Sequence, residues 1–324
     1  MSAIRLKSNR PNKVVLISLE TEALSLSSYS STSIEGNPLP LTEVRKILKA
    51  RPSEIRNTER EILQYNDTLM QLNKDVLSEV FELTEKNIIQ IHKTLMKNLL
   101  PKVKLGNFRK EAVVVNDPKS RKPIFYPPDH TDINKHMSDL LCFIKDGKKN
   151  LDPLVLAGIF HKQFVLIHPF IDGNGRLTRL LTKTLLAELG LNIFSLFSFE
   201  SHYNKNITTY FKKVGERGDY YDLIKKVDFT DWLEYFCEGV LDELFRVEKI
   251  LQQKKISTPS DTLSSEQNKI ITYLSDHEFI RDADYAKLTS RAKATRALDF
   301  KKLTQLNYIE KKRKGPATYY ILKK

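Results

Sequence analysis

Apolar residues recur along most of this chain at the three- and four-residue spacing of amphipathic helices, with polar residues between them. In residues 82–100, for example, Ile88, Ile91 and Leu95 form one stripe, and Pro101 follows the segment. The same spacing marks a series of further segments: residues 42–50, 53–73, 132–146, 153–167, 177–189, 203–214 and 230–253. The pattern therefore predicts a mainly α fold.

One segment inside this helical region changes its period. Residues 112–115 are Ala-Val-Val-Val and residues 124–126 are Ile-Phe-Tyr, compositions that are typical of β-strands. The stretch between them, from Asn116 to Arg121, is rich in turn-forming residues. The sequence therefore predicts a β-hairpin within an otherwise helical domain.

Residues 20–35 are rich in serine, yet they keep apolar residues at helical spacing up to Gly36. A short helix that ends at this glycine fits the pattern. A low-complexity loop fits the composition equally well, and local propensity alone leaves the two alternatives open.

The C-terminal part of the chain has an element order of its own. Residues 254–262 have the composition of a linker, and helices are predicted over 265–275, 284–288 and 291–306. Two strands around Gly315 and Pro316 follow, which is the order of a winged helix-turn-helix. Residues 262–324 also carry 14 lysines and arginines against 7 acidic residues, a large share of the chain's net charge of +13. A small basic unit of this kind is typical of a nucleic-acid-binding module, although basic surfaces also serve solubility.

Length and composition are those of a globular protein with room for two domains. The 324 residues are 40% hydrophobic and 29% charged. No apolar run approaches a membrane span, and residues 14–19 are too short for the apolar part of a secretory signal. Cys142 and Cys237 are isolated, which argues against a disulfide framework and a cysteine zinc site. We therefore expect a cytoplasmic protein without a membrane partner.

The densest group of chemically reactive side chains lies between His168 and Arg179. Gly173 and Gly175 interrupt the apolar pattern and predict a tight loop between two buried helices. The first turn of the second helix has unpaired N–H groups and the positive end of the macrodipole, so it favours an anion. Arg176 and Arg179 share the face of that turn, where two cations oppose the macrodipole. The stretch therefore predicts an anion-binding site.

The same loop carries groups that suit phosphate chemistry. Its amides and two arginines could bind linked phosphates, and Asp172 could hold the Mg²⁺ that accompanies them. His168 could take a proton from an attacking hydroxyl. Taken alone, His168 would more often be a packed core histidine, and Asp172 an ordinary turn residue. The chain contains no P-loop, serine elbow or zinc helix, so the combination indicates a different kind of phosphate site.

The stretch His168-Pro-Phe-Ile-Asp-Gly-Asn-Gly-Arg-Leu-Thr-Arg179 resembles the core motif of the Fic (filamentation induced by cAMP) family at every fixed position. Residues 106–128 resemble the family's flap, and the likeness extends over residues 85–250. It implies a helical Fic core with a β-hairpin flap, which transfers AMP from ATP to a Ser, Thr or Tyr hydroxyl of a target protein or of the chain itself. The flap would align the target segment by adding it as a strand.

The resemblance also implies a role for each matching residue. His168 would be the general base and Asp172 the Mg²⁺ ligand. The residues implied to bind the nucleotide are Gly173, Asn174 and Gly175 as an anion hole, Arg176 and Arg179 on the triphosphate, and Asn206 and Tyr210 near the adenine.

Gly175 separates two branches of the family. A phosphotransferase branch that resembles the death-on-curing toxins carries lysine at this position. Glycine lets the backbone amides approach the phosphates closely, which favours nucleotidyl transfer. Nothing in the loop selects the base, so transfer of UMP or another diphosphate-linked group stays open.

Residues 31–36, Ser-Thr-Ser-Ile-Glu-Gly, resemble the inhibitory motif of Fic proteins, placed here before the core. The resemblance implies that Glu35 pairs with Arg179 and displaces the γ-phosphate. A carboxylate can replace a phosphate on an arginine, because both accept its paired hydrogen bonds. We therefore expect Glu35 to keep basal activity low; a solvated glutamate at a helix end is the alternative.

These observations divide the chain into a helical region with the inhibitory motif (1–84), a Fic core (85–253), a linker (254–262) and a winged helix-turn-helix (263–324). In the last domain, we expect Arg291, Lys293, Arg296 and Lys302 to be exposed, with residues 311–314 on the wing, for binding DNA. Packing on the core or dimerisation is the alternative role.

The sequence thus predicts an autoinhibited protein AMP-transferase. A DNA-binding regulator with a nucleotide-sensing core is one alternative, which the intact His168 disfavours. An enzyme that removes AMP, with Glu35 assisting water, is another. The target protein and any homo-oligomer stay open.

Overall fold

The computed structural model describes residues 13–78, 81–117, 120–191, 195–256, 263–306, 308–313 and 318–323. These residues fall into two compact units. The larger unit comprises Thr21–Arg246, and the smaller unit comprises the described residues before and after it. Within the described part of the chain, no helix is both long enough and apolar enough to span a bilayer.

The prediction of a mainly α fold is confirmed. The helices that lie wholly or partly in the larger unit are α1 (Lys13–Ile34), α2 (Leu41–Lys49), α3 (Asn57–Leu77), α4 (Glu85–Leu95), α5 (Ile133–Gly147), α6 (Pro153–Ile167), α7 (Asn174–Glu188), α8 (Glu200–Lys205), α9 (Ile207–Val214), α10 (Tyr220–Leu223) and α11 (Thr230–Ile256).

Helices α6 and α7 form the centre of the larger unit. The start of α6 is set by Asp152, whose carboxylate accepts the N–H of Leu154 at 2.8 Å, and by Pro153 in the first helical position. Both helices are buried on nearly all sides: α6 is mainly apolar all round, whereas α7 also buries polar and charged side chains. Helix α6 has the predicted bounds, and α7 begins at Asn174 rather than at residue 177, because the loop residues themselves form its first turn.

The serine-rich segment is helical, so the alternative of a low-complexity loop is wrong. Five of its hydroxyl-bearing residues are almost completely buried: Ser27, Ser28, Ser30, Ser31 and Thr32 are each at most 2% exposed. Their hydroxyls find partners, such as Glu200 for Ser27 at 3.0 Å. Gly36, with φ of +95°, ends the helix as predicted.

The predicted hairpin is present, with a first strand that is shorter and begins later than predicted and a second strand that begins one residue earlier. Strands β1 (Val115–Asn116) and β2 (Pro123–Tyr126) pair antiparallel. A third strand, β3 (Gly218–Asp219), pairs parallel with β2. Nothing in the sequence predicts β3, because two residues are too few to show a period. Phe125 of β2 packs against Leu166 at the end of α6, and this contact fixes the hairpin, which we call the flap, close to the central loop.

Two predicted helices end or break earlier than expected. The helix predicted up to residue 100 ends at Leu95, several residues before Pro101. The helix predicted over residues 203–214 is two helices, because Asn206 interrupts it with φ of −144° and caps α9 by accepting the N–H of Thr209 at 3.0 Å.

The smaller unit contains α12 (Ser265–Asp276), α13 (Asp282–Leu288), α14 (Lys293–Gln305) and the antiparallel strands β4 (Ile309–Lys312) and β5 (Tyr319–Leu322). Three helices followed by a hairpin is the order that the sequence predicts. Helix α11 continues to Ile256, so the first residues of the predicted linker are helical. Residues 257–262, Lys314, Gly315 and Pro316 lie outside the described residues.

Two of the four basic side chains predicted to be exposed near α14 are engaged within the fold. Arg291 binds the buried Asp299 at 2.7 Å, and Arg296 binds Asp282 at 2.8 Å. The expectation that both face solvent is therefore wrong. Lys293 and Lys302 are exposed, as predicted. Sequence alone shows a basic helix here and cannot show which charges the fold uses internally.

Candidate functional site

The loop between α6 and α7 holds His168 in a defined position. His168 ends α6 in the left-handed conformation, with φ of +50°, which costs a non-glycine residue about 1 kcal/mol. Its N–H still donates to the Phe164 carbonyl at 3.0 Å, and its own carbonyl accepts Nε of Arg109 at 2.9 Å. These contacts turn the chain sharply out of α6 and direct it into the loop.

His168 is neutral, and one ring nitrogen is available as a base. Burial lowers its pKa to about 4. Its Nδ1 lies 3.3 Å from the carbonyl of Val165, so Nδ1 carries the proton and donates it to that oxygen. Nε2 therefore keeps its lone pair. A histidine with this tautomer can take a proton from a hydroxyl throughout the physiological pH range.

Asn174 shapes the loop through its side chain. Its amide oxygen accepts the N–H of Phe170 at 2.9 Å, and its amide nitrogen donates to the carbonyl of Phe170 at 2.8 Å. Both ends of the buried amide are thus used within the loop. The contribution of Asn174 to an anion hole is consequently limited to its backbone N–H, at the start of α7.

Both loop glycines lie where a Cβ would meet neighbouring side chains. Gly173 has φ of +82°, and a Cβ there would meet the sulfur of Met96 at 2.6 Å. A Cβ on Gly175 would meet Oε1 of Glu35 at 2.2 Å and Nη1 of Arg179 at 3.1 Å. Gly175 therefore leaves room for a carboxylate from the N-terminal helix, in addition to exposing the amides of the first turn.

Arg179 is fully buried and bound by the end of α1. Its Nη2 lies 2.7 Å from Oε1 of Glu35 and donates to the carbonyl of Ser31 at 2.9 Å. Its Nε donates to the hydroxyl of Ser31 at 2.7 Å, and its Nη1 to Tyr210 at 3.4 Å. Burial is the largest single influence and lowers the pKa of Arg179, but Glu35, Tyr210 and Tyr65 together outweigh it and the net shift is upward. The predicted pair of Glu35 with Arg179 is present, through one carboxylate oxygen.

Arg176 is also bound by a carboxylate, which the sequence analysis missed. Its Nη1 lies 2.8 Å from Oε1 of Glu61 on α3, and its Nη2 makes longer contacts of 3.3 and 3.4 Å with Asp172. Nothing in the sequence marks Glu61, because it lies 115 residues from Arg176 on an ordinary amphipathic helix.

Asp172 could serve as a Mg²⁺ ligand on chemical grounds. Its side chain is 56% exposed, and its contacts are the long ones with Arg176 and the N–H of Gly173 at 2.6 Å. Mg²⁺ is commonly held by one or two carboxylates together with substrate phosphates. Among the described residues, no group of three or more His, Cys, Asp or Glu side chains could hold a metal by itself. A single exposed carboxylate fits a metal that arrives with a nucleotide.

The two residues predicted near the adenine have different positions. Tyr210 is 1% exposed and its hydroxyl lies between Arg179 and Nε2 of His161, which is 3.2 Å away. The side-chain oxygen of Asn206 caps α9 instead. The structure thus brings Glu35, Gly175, Arg179 and Tyr210 together. The side chain of Asn206 is instead used to cap α9.

His92 and Arg109 connect the loop to its surroundings. The ring of His92 stacks on Phe170 at 3.9 Å. Its Nδ1 accepts the N–H of Gly106 at 2.9 Å, so its Nε2 donates to the carbonyl of Asp172 at 3.1 Å. Burial lowers the pKa of His92 to about 4, and the ring is neutral as this pattern requires. Arg109 donates to the carbonyls of His168 and Pro128. The start and end of the flap segment are thus both tied to the loop.

The central loop lies in the part of the chain that matches a known family. Residues 82–186 match the model of the Fic/DOC family. The proteins named protein adenylyltransferase Fic from Nematostella vectensis and Drosophila erecta are 30% and 32% identical over 166 residues. That alignment covers 50% of this chain and 37% and 32% of those relatives. The chain therefore matches about a third of the length of these curated relatives.

Solved structures share the fold. A Fic family protein from Desulfovibrio desulfuricans superposes with a TM-score of 0.60 at 19% identity, covering 94% of this chain and 87% of that one. Fic-1 from C. elegans superposes with a TM-score of 0.60 at 21% identity, covering 79% of this chain and 71% of that one. At these identities the likeness shows the fold alone.

Proposed function

We propose, from the match of residues 82–186 to the Fic/DOC family, that this chain is a protein adenylyltransferase that Glu35 holds inhibited. Its substrates would be ATP with Mg²⁺ and a Ser, Thr or Tyr hydroxyl of a target protein or of the chain itself. The observation that carries the proposal is the neutral His168 with a free Nε2, on the same loop as two arginines at a helix start.

The reaction needs a proton acceptor, an anion site and a leaving group. Nε2 of His168 takes the proton of the target hydroxyl, and the hydroxyl oxygen forms a bond to the α-phosphorus. The bond between the α-phosphorus and the bridging oxygen breaks, and pyrophosphate leaves. The amides of the first turn of α7 and the two arginines stabilise the charge on the phosphates. Asp172 would hold Mg²⁺, which neutralises part of this charge.

The flap offers one edge of β2's sheet for a target segment. The strand order is β1-β2-β3, so β2 has a partner on both sides. Within the described residues, β1 pairs with β2 alone, and its other edge is available for pairing. Exposed Val114 and Tyr126 would contact alternate side chains of an added strand. Main-chain pairing of this kind selects an extended segment more than a particular sequence.

Intact-mass measurement tests the proposed reaction. We expect the Glu35→Gly chain, incubated with ATP and Mg²⁺, to gain the mass of one or more AMP groups on itself or on added protein. A gain of a phosphoryl group would instead identify phosphotransfer. Loss of AMP from a modified protein, without any gain, would identify the removal reaction, for which Glu35 would assist water.

We propose that the smaller unit binds duplex DNA, and that lysines on α14 make the contacts with the phosphates. Lys293, Lys301 and Lys302 are exposed on α14, whereas the nearby arginines are engaged in ion pairs. We expect a salt-sensitive gel shift with duplex DNA, weakened when the three lysines are changed to alanine. Alanine at the exposed Lys46 and Lys49 of the larger unit is the matched control. No shift at low salt would remove DNA as a partner.

A further inference from the structure

Arg176 is held by an ion pair that involves the N-terminal region, as Arg179 is. Its side chain is 4% exposed and its closest partner is Glu61, 2.8 Å away. Its Nε has no hydrogen-bond partner among the described residues. The guanidinium therefore has donor capacity left over, while its approach from solvent is covered. An arginine in this state cannot bind a phosphate fully until Glu61 moves.

The second oxygen of Glu61 is fixed by the turn that follows α1. Nδ2 of Asn37 donates to Oε2 of Glu61 at 2.8 Å and to the carbonyl of Thr58 at 2.8 Å. Asn37 is itself held, because its backbone N–H donates to the carbonyl of Thr32 at 3.1 Å. Both oxygens of Glu61 are thus occupied, one by Arg176 and one by Asn37.

Glu35 and Asn37 lie on either side of the same glycine. Gly36 ends α1 with φ of +95°, and it turns the chain so that Glu35 contacts Arg179 while Asn37 contacts Glu61. One short turn therefore engages both arginines, the first directly and the second through Glu61. A change in the conformation of Gly36 would alter both contacts together.

We propose that Glu61, positioned by Asn37, is a second inhibitory carboxylate that competes with a nucleotide phosphate for Arg176. This inference rests on the proposed function, because it names how the same site is regulated. With Glu35 on Arg179 and Glu61 on Arg176, each arginine of the loop is paired with a carboxylate from the N-terminal region. Replacing Glu35 alone would therefore leave part of the inhibition in place.

The alternative role for Glu61 is to orient Arg176 productively, and it predicts the opposite result. If Glu61 orients Arg176 toward the phosphates, its removal weakens nucleotide binding. If it competes with them, its removal tightens binding. Glutamine is the suitable replacement, because it keeps the volume and a hydrogen-bond acceptor for Arg176 and removes the charge.

Binding of Mg²⁺·ATP measured by calorimetry distinguishes the two roles. All chains carry His168→Ala, so that ATP is not consumed. We expect Glu61→Gln to tighten ATP binding about tenfold in the Glu35→Gly background, because the substitution removes one charged competitor for Arg176. Asn37→Ala should change affinity in the same direction by less. Glu54→Gln, at an exposed position in the same region, is the control and should leave affinity unchanged.

Unchanged or weaker binding by the Glu61→Gln chain, with an unchanged thermal midpoint, would overturn the proposal. If the Glu61→Gln chain has a lower thermal midpoint, the Asn37→Ala chain decides instead, because it leaves the Arg176–Glu61 pair in place. Unchanged ATP affinity in the Asn37→Ala chain would also overturn the proposal. AMP transfer is scored separately by mass, on chains with His168 present. Tighter ATP binding without AMP transfer would refute the adenylyltransferase and leave the Glu61 inference standing.

Discussion

Replacing Glu35 by glycine should raise the initial rate of AMP incorporation about 10- to 100-fold, with ATP and Mg²⁺ in excess. The Glu35 carboxylate lies 2.7 Å from Nη2 of Arg179 and fills the space above Gly175. A hydrogen bond to a charged group contributes roughly 1.5–3 kcal/mol. Removing a competitor of this strength changes an equilibrium constant about 10- to 100-fold. The rate is measured as radioactive AMP retained on protein.

Glu22→Gly is the matched control for this change. Glu22 lies on α1, which ends one residue before Glu35, and its carboxylate pairs with Arg45 away from the loop. The variant therefore introduces glycine into the helix that leads to Glu35 and removes one negative charge without freeing Arg179. Its labelling should equal that of the unchanged chain. Equal labelling of the Glu35→Gly chain and the unchanged chain would contradict the inhibitory role of Glu35.

Replacing His168 by alanine in the Glu35→Gly chain should lower AMP incorporation at least about 100-fold, the usual contribution of general-base catalysis. The affinity for Mg²⁺·ATP should be retained, because the arginines and amides that bind phosphates are unchanged. Rates and affinities are measured on the same preparation. His277→Ala, which removes an exposed histidine of the smaller unit, serves as the control. Persistent incorporation without His168 would show that another group is the base.

The central loop could be identified from sequence because its chemistry and its geometry are both local. His168, Asp172 and the two arginines lie within one turn and the start of one helix, and glycine positions mark the turn. Asp152 and Pro153 fix the start of α6, so its bounds follow from capping rules alone. Patterns of this kind predict the structure without knowledge of distant contacts, because the residues that form them are close together in the chain.

Other parts of the site depend on contacts between distant residues. The serines of α1 are poor evidence for a helix until their buried partners, such as Glu200, are known. Glu61 belongs to the site only because α3 packs beside α7, which brings its carboxylate to Arg176. His92 likewise gains its role from the Phe170 ring and the carbonyl of Asp172. The spacing of residues along the chain does not predict these contacts.

The basic side chains near α14 show the same limit in another form. From the sequence, Arg291 and Arg296 are expected to be exposed for binding DNA, yet the fold uses both in ion pairs with Asp299 and Asp282. The number of charges in a segment is readable from sequence, whereas the number available to a partner depends on which acidic residues fold against it.

The central claim is that His168 and the arginine-bearing turn transfer AMP, and that Glu35 restrains them. The most direct test incubates the unchanged chain and the Glu35→Gly chain with ATP labelled either at the α-phosphate or at the γ-phosphate. We predict that label from the α-phosphate is retained on protein, much more strongly in the Glu35→Gly chain, and that label from the γ-phosphate is not retained. Retention of the γ-label, or equal α-label in both chains, would contradict the account.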